Sequence, residues 1–319
     1  MRDPIIDKNL AIQTISLSKR FGKLTALDNL NLQVEPNSIY GFLGPNGSGK
    51  TTAIRLMIGL SHPSRGRAYV YGYDSTARRM EARQAIGYLP DVPNFFGYMT
   101  GLDYLVFCGK LLGLDSKKAK ARAWPLLEMT GVKDAAHRKA NGYSRGMKQR
   151  LGLAASMMGE PKVLFLDEPV SAMDPIGRAD VLDIIRDLKK KTTVFVSTHI
   201  LADVERVSDK VGIIDHGRLL VSEDIHSLKQ RFSQNCITIN TLEDPTPLIE
   251  AIKSQWWASE VYIKRSEQDM PELVVYVSDH TAARDNLPRL ICQRGFTIIN
   301  YVTVQPSLED IFLKLAGAK

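Results

Sequence analysis

The run GPNGSGKT, Gly44 to Thr51, combines residue types and spacing that suit a nucleotide's phosphates. It fits G-x-x-x-x-G-K-[ST], follows an apolar run and opens a helix-like one, the context this loop requires. Glycine permits backbone torsions and close approaches that a side chain would block. The backbone N–H groups of residues 47 to 51 then converge on phosphate oxygens at the positive end of a helix. Gly44, Pro45, Asn46, Gly47, Ser48, Gly49, Lys50, Thr51 and Thr52 are the candidate binding residues. Lys50 is expected to reach the β- and γ-phosphates of ATP or GTP, and the Thr51 hydroxyl to ligate Mg²⁺.

Two strand ends supply the remaining chemistry. VLFLDEP places Asp167 and Glu168 at the carboxyl end of a buried strand, the edge of a parallel sheet where ligands collect. Alone, such a pair reads as a helix cap. Beside a phosphate loop, Asp167 reads as a Mg²⁺ holder acting through water, and Glu168 as the general base for a water attacking the γ-phosphate. TVFVSTH ends a second apolar run on His199. A lone histidine is ordinarily a core or capping residue. At this strand end its neutral ring suits a hydrogen bond to the γ-phosphate and the attacking water. In YSRGMKQRLGLAASM, Ser144 is a good N-cap, so a second helix start is also suited to an anion.

The elements that must hold these groups follow from periodicity. Alternating runs AIQTISLSKRF, ALDNLNLQVEP and SIYGFLG read as strands, with turns at Gly22-Lys23 and Pro36-Asn37. KTTAIRLMIGL reads as a helix stopped by Gly59, and GRAYVYGYD as one further strand. From about Gly101 to Met158 the apolar spacing is helical. KVLFLDEP and TTVFVSTH, separated by the helical GRADVLDIIRDLKKK, read as buried parallel strands of an α/β core. KVGIIDHGRLLVSED reads as a hairpin turning at His216-Gly217. Near residue 228 the pattern becomes β-α-β-β-α-β, a ferredoxin-like order, followed by SLEDIFLKLAG with a Ser307/Asp310 capping pair. The expected domains are therefore 1–228, with a helical subdomain at about 95–158, and an α+β accessory domain at 229–319.

Composition narrows the class. The 319 residues are 44% hydrophobic and 24% charged, as in ordinary globular proteins. No apolar run approaches the ~18 residues of a membrane-spanning helix, and MRDPIIDKNL lacks a signal-peptide core, so a cytosolic chain is expected. Cys108, Cys236 and Cys292 match no metal spacing and read as reduced. The net charge of +7 is spread along the chain, with local clusters only at LKKKT and SKKAKAR. This reads as a diffuse excess of lysine on solvated helix faces rather than as nucleic-acid or membrane-surface contact, and nucleic acid is not expected as a partner.

Together these motifs resemble the ATP-binding subunit of an ABC transporter, over about residues 10 to 225. YSRGMKQR resembles the family signature, SAMDP the loop crossing the dimer interface, and GYLPD the loop that usually carries glutamine. Phe21 matches the aromatic that stacks on adenine. The terminal PSLEDIFLKL narrows the resemblance to the type-two exporter group with a C-terminal accessory domain. The resemblance implies a P-loop NTPase fold: a RecA-like core with an antiparallel β subdomain and a helical signature subdomain. It implies hydrolysis of ATP with Mg²⁺ at the cytoplasmic face of the cell membrane, beneath separate integral membrane subunits. It also implies a head-to-tail homodimer, or a pair with a close homologue, in which Ser144 and Gly146 hold the partner's ATP. Arg145 and Met147 depart from the usual glycine and glutamine, and Asp91 from glutamine, so Asp91 is expected to act through a bridging water. The rival reading is a soluble ABC ATPase acting on ribosomes or nucleic acid. For the C-terminal domain, a packing or dimer-stabilising appendage competes with a ligand sensor. Trp256-Trp257 read as core or interface.

Overall fold

The computed structural model describes residues 6–171, 173–233, 236–264, 271–303 and 308–317. The chain divides into two compact units, residues 1–225 and 226–319.

In the first unit, β1 (Ile12–Phe21) and β2 (Leu24–Val34) form a hairpin, and β3 (Ile39–Leu43) leads into α1 (Lys50–Met57). Next come β4 (Arg65–Val70), β5 (Tyr73–Asp74), α2 (Arg79–Gln84) and β6 (Ile86–Leu89). Three helices follow: α3 (Gly101–Leu111), α4 (Ser116–Met129) and α5 (Arg145–Ser156). The core then resumes with β7 (Val163–Asp167), α6 (Pro175–Leu188), β8 (Thr193–Thr198), α7 (Leu201–Val207), β9 (Lys210–Asp215) and β10 (Arg218–Asp224). Helix α8 (Ile225–Ser233) starts on the last residue of this unit and otherwise belongs to the second.

Six strands make the central sheet in the order β10-β9-β3-β8-β7-β6. All neighbours pair in parallel except β10, which returns antiparallel along β9. Every residue of β3, β7 and β8 is buried, as their unbroken apolar runs require when helices cover both faces. Phe195 anchors this core, stacked on Tyr40 at 5.4 Å between centroids and packed on Phe165 at 5.5 Å. A second sheet, β2-β1-β4-β5, is antiparallel. Helices α3, α4 and α5 enclose their own cluster, which includes Leu105, Leu127, Leu151 and Met158.

Two local readings differ from the structure. GRAYVYGYD is a hairpin rather than one strand: Tyr71 (φ 46°) and Gly72 (φ 76°) take left-handed torsions that reverse the chain between β4 and β5. GYLPD is not wholly a loop, because Ile86–Leu89 forms the edge strand β6 beside β7.

The second unit contains β11 (Cys236–Thr241), α9 (Leu248–Lys253), β12 (Ala258–Lys264), β13 (Glu272–Val277), α10 (His280–Gln293), β14 (Ile298–Thr303) and α11 (Leu308–Gly317). Its sheet runs β12-β13-β11-β14, antiparallel throughout, which is the ferredoxin-like strand order. α9 and α10 close one apolar cluster around Trp257, Leu273 and Leu287. Trp257 is fully buried in it, whereas Trp256 is 73% exposed, so the tandem tryptophans split between core and surface. On α11, Asp310 is buried and accepts a 3.0 Å hydrogen bond from the Tyr262 hydroxyl. The expected cap partner Ser307 lies outside the described residues, as does Ala172 of SAMDP.

Candidate functional site

The phosphate loop joins β3 to α1. Gly44 is packed so closely that a Cβ there would lie 2.3 Å from the Ile214 carbonyl oxygen. Gly49 caps α1 at φ 108°, a torsion that side chains disfavour. Lys50 is almost fully buried, and its Nζ donates to the carbonyls of Gly44 at 2.7 Å and Pro45 at 3.2 Å. A buried ammonium needs such acceptors and a countercharge. The countercharge is Glu168, whose Oε1 lies 3.4 Å away.

Glu168 follows β7 and takes φ 51°, an uncommon torsion for a residue with a Cβ. Its N–H donates 2.9 Å to the Ser197 carbonyl, which pins that backbone to β8. Its second oxygen lies 2.9 Å from Nδ1 of His199. A neutral His199 ring donating from Nδ1 keeps Nε2 as an acceptor; both nitrogens donate only in the imidazolium. Asp167, buried, accepts a 2.6 Å hydrogen bond from the Ser197 hydroxyl. The parallel register Asp167↔Ser197 thus brings Asp167, Glu168 and His199 to one sheet edge.

An open cleft of ≈ 440 Å³ lies over the loop. Phe21, Asn46, Gly47, Gly49, Lys50, Thr51, Thr52, Asp91 and Glu168 all line it. Phe21 is 53% exposed there, with Lys19 Nζ 5.0 Å from its ring centroid. Asp91 accepts a 3.1 Å hydrogen bond from the Ser171 hydroxyl. Sequence reading missed one wall. His216 (φ 44°) and Gly217 (φ 77°) form the two-residue turn of the β9–β10 hairpin and also line the cleft. The Gly217 N–H donates 2.9 Å to the Ser48 carbonyl, and its carbonyl accepts from Asp28 N–H at 2.8 Å. The hairpin tip therefore straps β2 to the phosphate loop. The local signal was the turn itself; only the long-range pairing of β9 with β3 reveals where that turn lands.

A second missed pair sits behind the strand ends. Arg178 of α6 donates 2.6 Å from Nε to Asp203 of α7. Burial raises the Asp203 carboxyl above its ordinary range, opposed by the Arg178 hydrogen bond and charge.

Ser144 and Gly146 do not line the cleft. Ser144 caps α5, its hydroxyl accepting from Met147 N–H at 3.2 Å. Arg145 is exposed, while Met147 packs against the helical cluster, so its departure from glutamine serves the fold.

Among the described residues no three His, Cys, Asp or Glu side chains gather as a metal site. The oxygen donors offered instead, the Thr51 hydroxyl in the cleft and the buried Asp167 carboxylate, are of the kind that suits Mg²⁺, which uses one or two protein oxygens together with phosphates and water. The Ser48 hydroxyl, buried in the loop without a hydrogen-bond partner, marks unmet polar capacity at the same place.

A family profile described as "ABC transporter" matches residues 27–171, and one described as "ATP-binding protein DrrA1-3-like, C-terminal domain" matches residues 224–316. YxlF, an uncharacterized ABC transporter ATP-binding protein of Bacillus subtilis (strain 168), is 38% identical, covering 95% of this chain and 98% of the relative. The chain belongs to the ABC transporter ATP-binding proteins. Accordingly it is an ATPase subunit that binds ATP and works with a transporter. The bacitracin transport ATP-binding protein BcrA of Bacillus licheniformis is 32% identical over 96% of this chain and 97% of its own. The daunorubicin/doxorubicin resistance ATP-binding protein DrrA of Streptomyces peucetius is 34% identical over 96% and 92%. Among solved structures, an ATP-binding subunit of an ABC transporter aligns with TM-score 0.64 and 26% identity, covering 70% of this chain and 93% of that one. Among the described residues no helix is long and apolar enough to cross a membrane.

Proposed function

We propose that this chain drives an ABC exporter by hydrolysing ATP between two head-to-tail copies, or a copy and a close homologue, on the cytoplasmic face of the membrane. The observation that carries the hydrolytic part is the continuous linkage Lys50–Glu168–His199, which reaches the cleft through Lys50 and Glu168. The exporter assignment draws on relatives named for bacitracin transport, daunorubicin resistance and Nod factor export.

In this reading Phe21 stacks on adenine. Lys50 and the loop amides hold the phosphates. Thr51 and Asp167 would hold Mg²⁺, which offsets phosphate charge when bound. Glu168 accepts the proton of the attacking water, and His199 orients that carboxylate. Asp91 contributes through a bridging water, held by Ser171. Ser144 and the α5 N–H groups face the other copy's γ-phosphate, so ATP favours the closed pair and hydrolysis releases it. Integral membrane subunits would dock on an apolar groove of ≈ 300 Å³ lined by Leu89, Pro93, Phe95, Tyr104 and Gly152.

The test is Glu168→Gln. The variant is expected to bind ATP, stall turnover and accumulate as an ATP-bound dimer by size-exclusion chromatography. Turnover near the parent's level would remove Glu168 from its role. Recovery of the native chain with an integral membrane protein separates the exporter from a soluble ABC ATPase, which would purify without one.

A further inference from the structure

Two lysine runs stand out in the sequence, and the structure treats them differently. At LKKKT, which follows α6, two of the three cations are engaged: Lys189 pairs with Asp209, and Lys190 with Asp187 at 3.0 Å. Its preceding Leu188 is buried. SKKAKAR opens α4, just beyond the α3–α4 turn. Lys110, Lys117 and Lys120 there are exposed and have no ion pair among the described residues. Lys118 reaches only Asp115, at 3.6 Å, and Asp115 is already engaged as the helix cap.

Two leucines sit in the middle of these cations. Leu111 is 73% exposed and Leu112 57% exposed, the last residue of α3 and its C-cap. Exposed single leucines need no explanation, but this adjacent pair is flanked along the chain by Lys110 on one side and Lys117, Lys118 and Lys120 on the other, with Asp115 the one carboxylate between them, so apolar and cationic groups share one turn. That pairing is the recognition chemistry of an anionic lipid surface: ammonium groups meet headgroup phosphates and carboxylates while leucines enter the acyl boundary. A folded acidic protein would match the charge but offers no hydrocarbon layer for both leucines.

We propose that the α3–α4 turn is a direct contact with the anionic leaflet of a membrane, independent of any membrane subunit. Leu112 also lines the groove assigned above to the membrane subunits, which places turn and groove on one side of the helical cluster. That orientation rests on the exporter reading; lipid binding itself does not.

The experiment is vesicle co-sedimentation of the purified full chain. It is expected to bind vesicles of phosphatidylcholine with about one-third phosphatidylserine, and to bind pure phosphatidylcholine far more weakly. Each lysine near such a surface strengthens binding roughly fivefold. Lys117→Gln/Lys118→Gln/Lys120→Gln should therefore lose roughly 100-fold in vesicle affinity. Leu111→Ser should lose roughly tenfold. Lys190→Gln/Lys191→Gln, the control at the other run, should retain its affinity within about twofold. ATPase turnover should be unchanged in all of them. Equal vesicle affinity for the triple variant and the parent would overturn the proposal. So would capture by an acidic polypeptide or RNA with no binding to anionic vesicles. Loss of turnover in the parent chain would instead count against the hydrolytic reading and leave the vesicle result standing.

Discussion

Two helices in this chain begin at sites suited to an anion, and they are built differently. The start of α1 is enclosed: Lys50 lies beneath it, Glu168 beside it, and the hairpin tip straps it to β2. The start of α5 is bare, with an exposed serine cap and an exposed Arg145. Their glycines carry the same contrast. A Cβ on Gly44 would collide with the Ile214 carbonyl at 2.3 Å, so glycine is demanded from inside the chain. A Cβ on Gly146 would meet nothing nearer than Met173 Cγ at 3.9 Å, an ordinary contact. Nothing within the subunit requires glycine at 146. The first helix start has its cation, carboxylate and close backbone contacts within one copy; the second has none of these, and the head-to-tail pair proposed above would supply its ligand.

The largest expected effect lies at the enclosed site. Glu168→Gln should cut turnover by about 10²- to 10⁴-fold while ATP affinity, measured by titration, stays at the parent's level. Gly44→Ala should weaken ATP binding by at least about tenfold, because the loop must shift off a backbone carbonyl. Phe21→Ala should weaken it roughly 5- to 100-fold, as loss of one stacking ring predicts, and Phe21→Tyr should change it little.

The bare site should respond in the opposite sense. Gly146→Ala removes a poor helix former from a half-buried first turn with room for a Cβ, so thermal unfolding should show a gain of up to about 1 kcal/mol. The same change should reduce ATP-driven dimerisation. A variant that loses subunit stability, or dimerises as before, would erase the distinction between the two helix starts. Arg145→Gly is expected to matter least: a roughly two- to fivefold loss of dimer affinity at low ionic strength that vanishes near about 0.5 M salt.

The enclosed site was legible because its chemistry is local. Eight consecutive residues specify the phosphate loop, and apolar runs ending in Asp167-Glu168 and His199 announce two sheet edges. The β-α-β-β-α-β order of the second unit was equally readable, because CITINT alternates, ELVVYV is a short apolar run and the 14-residue α10 is long enough to show its period. What escaped depends on distant pairing. β6 has four residues, too few for a period, and it exists because it lies along β7. His216-Gly217 reads as a turn, but its place in the cleft is set by β9 pairing with β3, some 170 residues earlier in the chain. The link between Arg178 and Asp203 likewise joins helices whose packing no local pattern encodes.

The left-handed backbone at Glu168 has an evolutionary consequence. Glutamate and glycine codons differ at one base. A glycine there would relieve torsional strain of about 1 kcal/mol while removing the carboxylate that Lys50 and His199 share. Hydrolysis and backbone comfort therefore pull in opposite directions at this position. Lineages freed from the need to turn over ATP have a short, thermodynamically smooth path to a chain that still folds and still binds nucleotide.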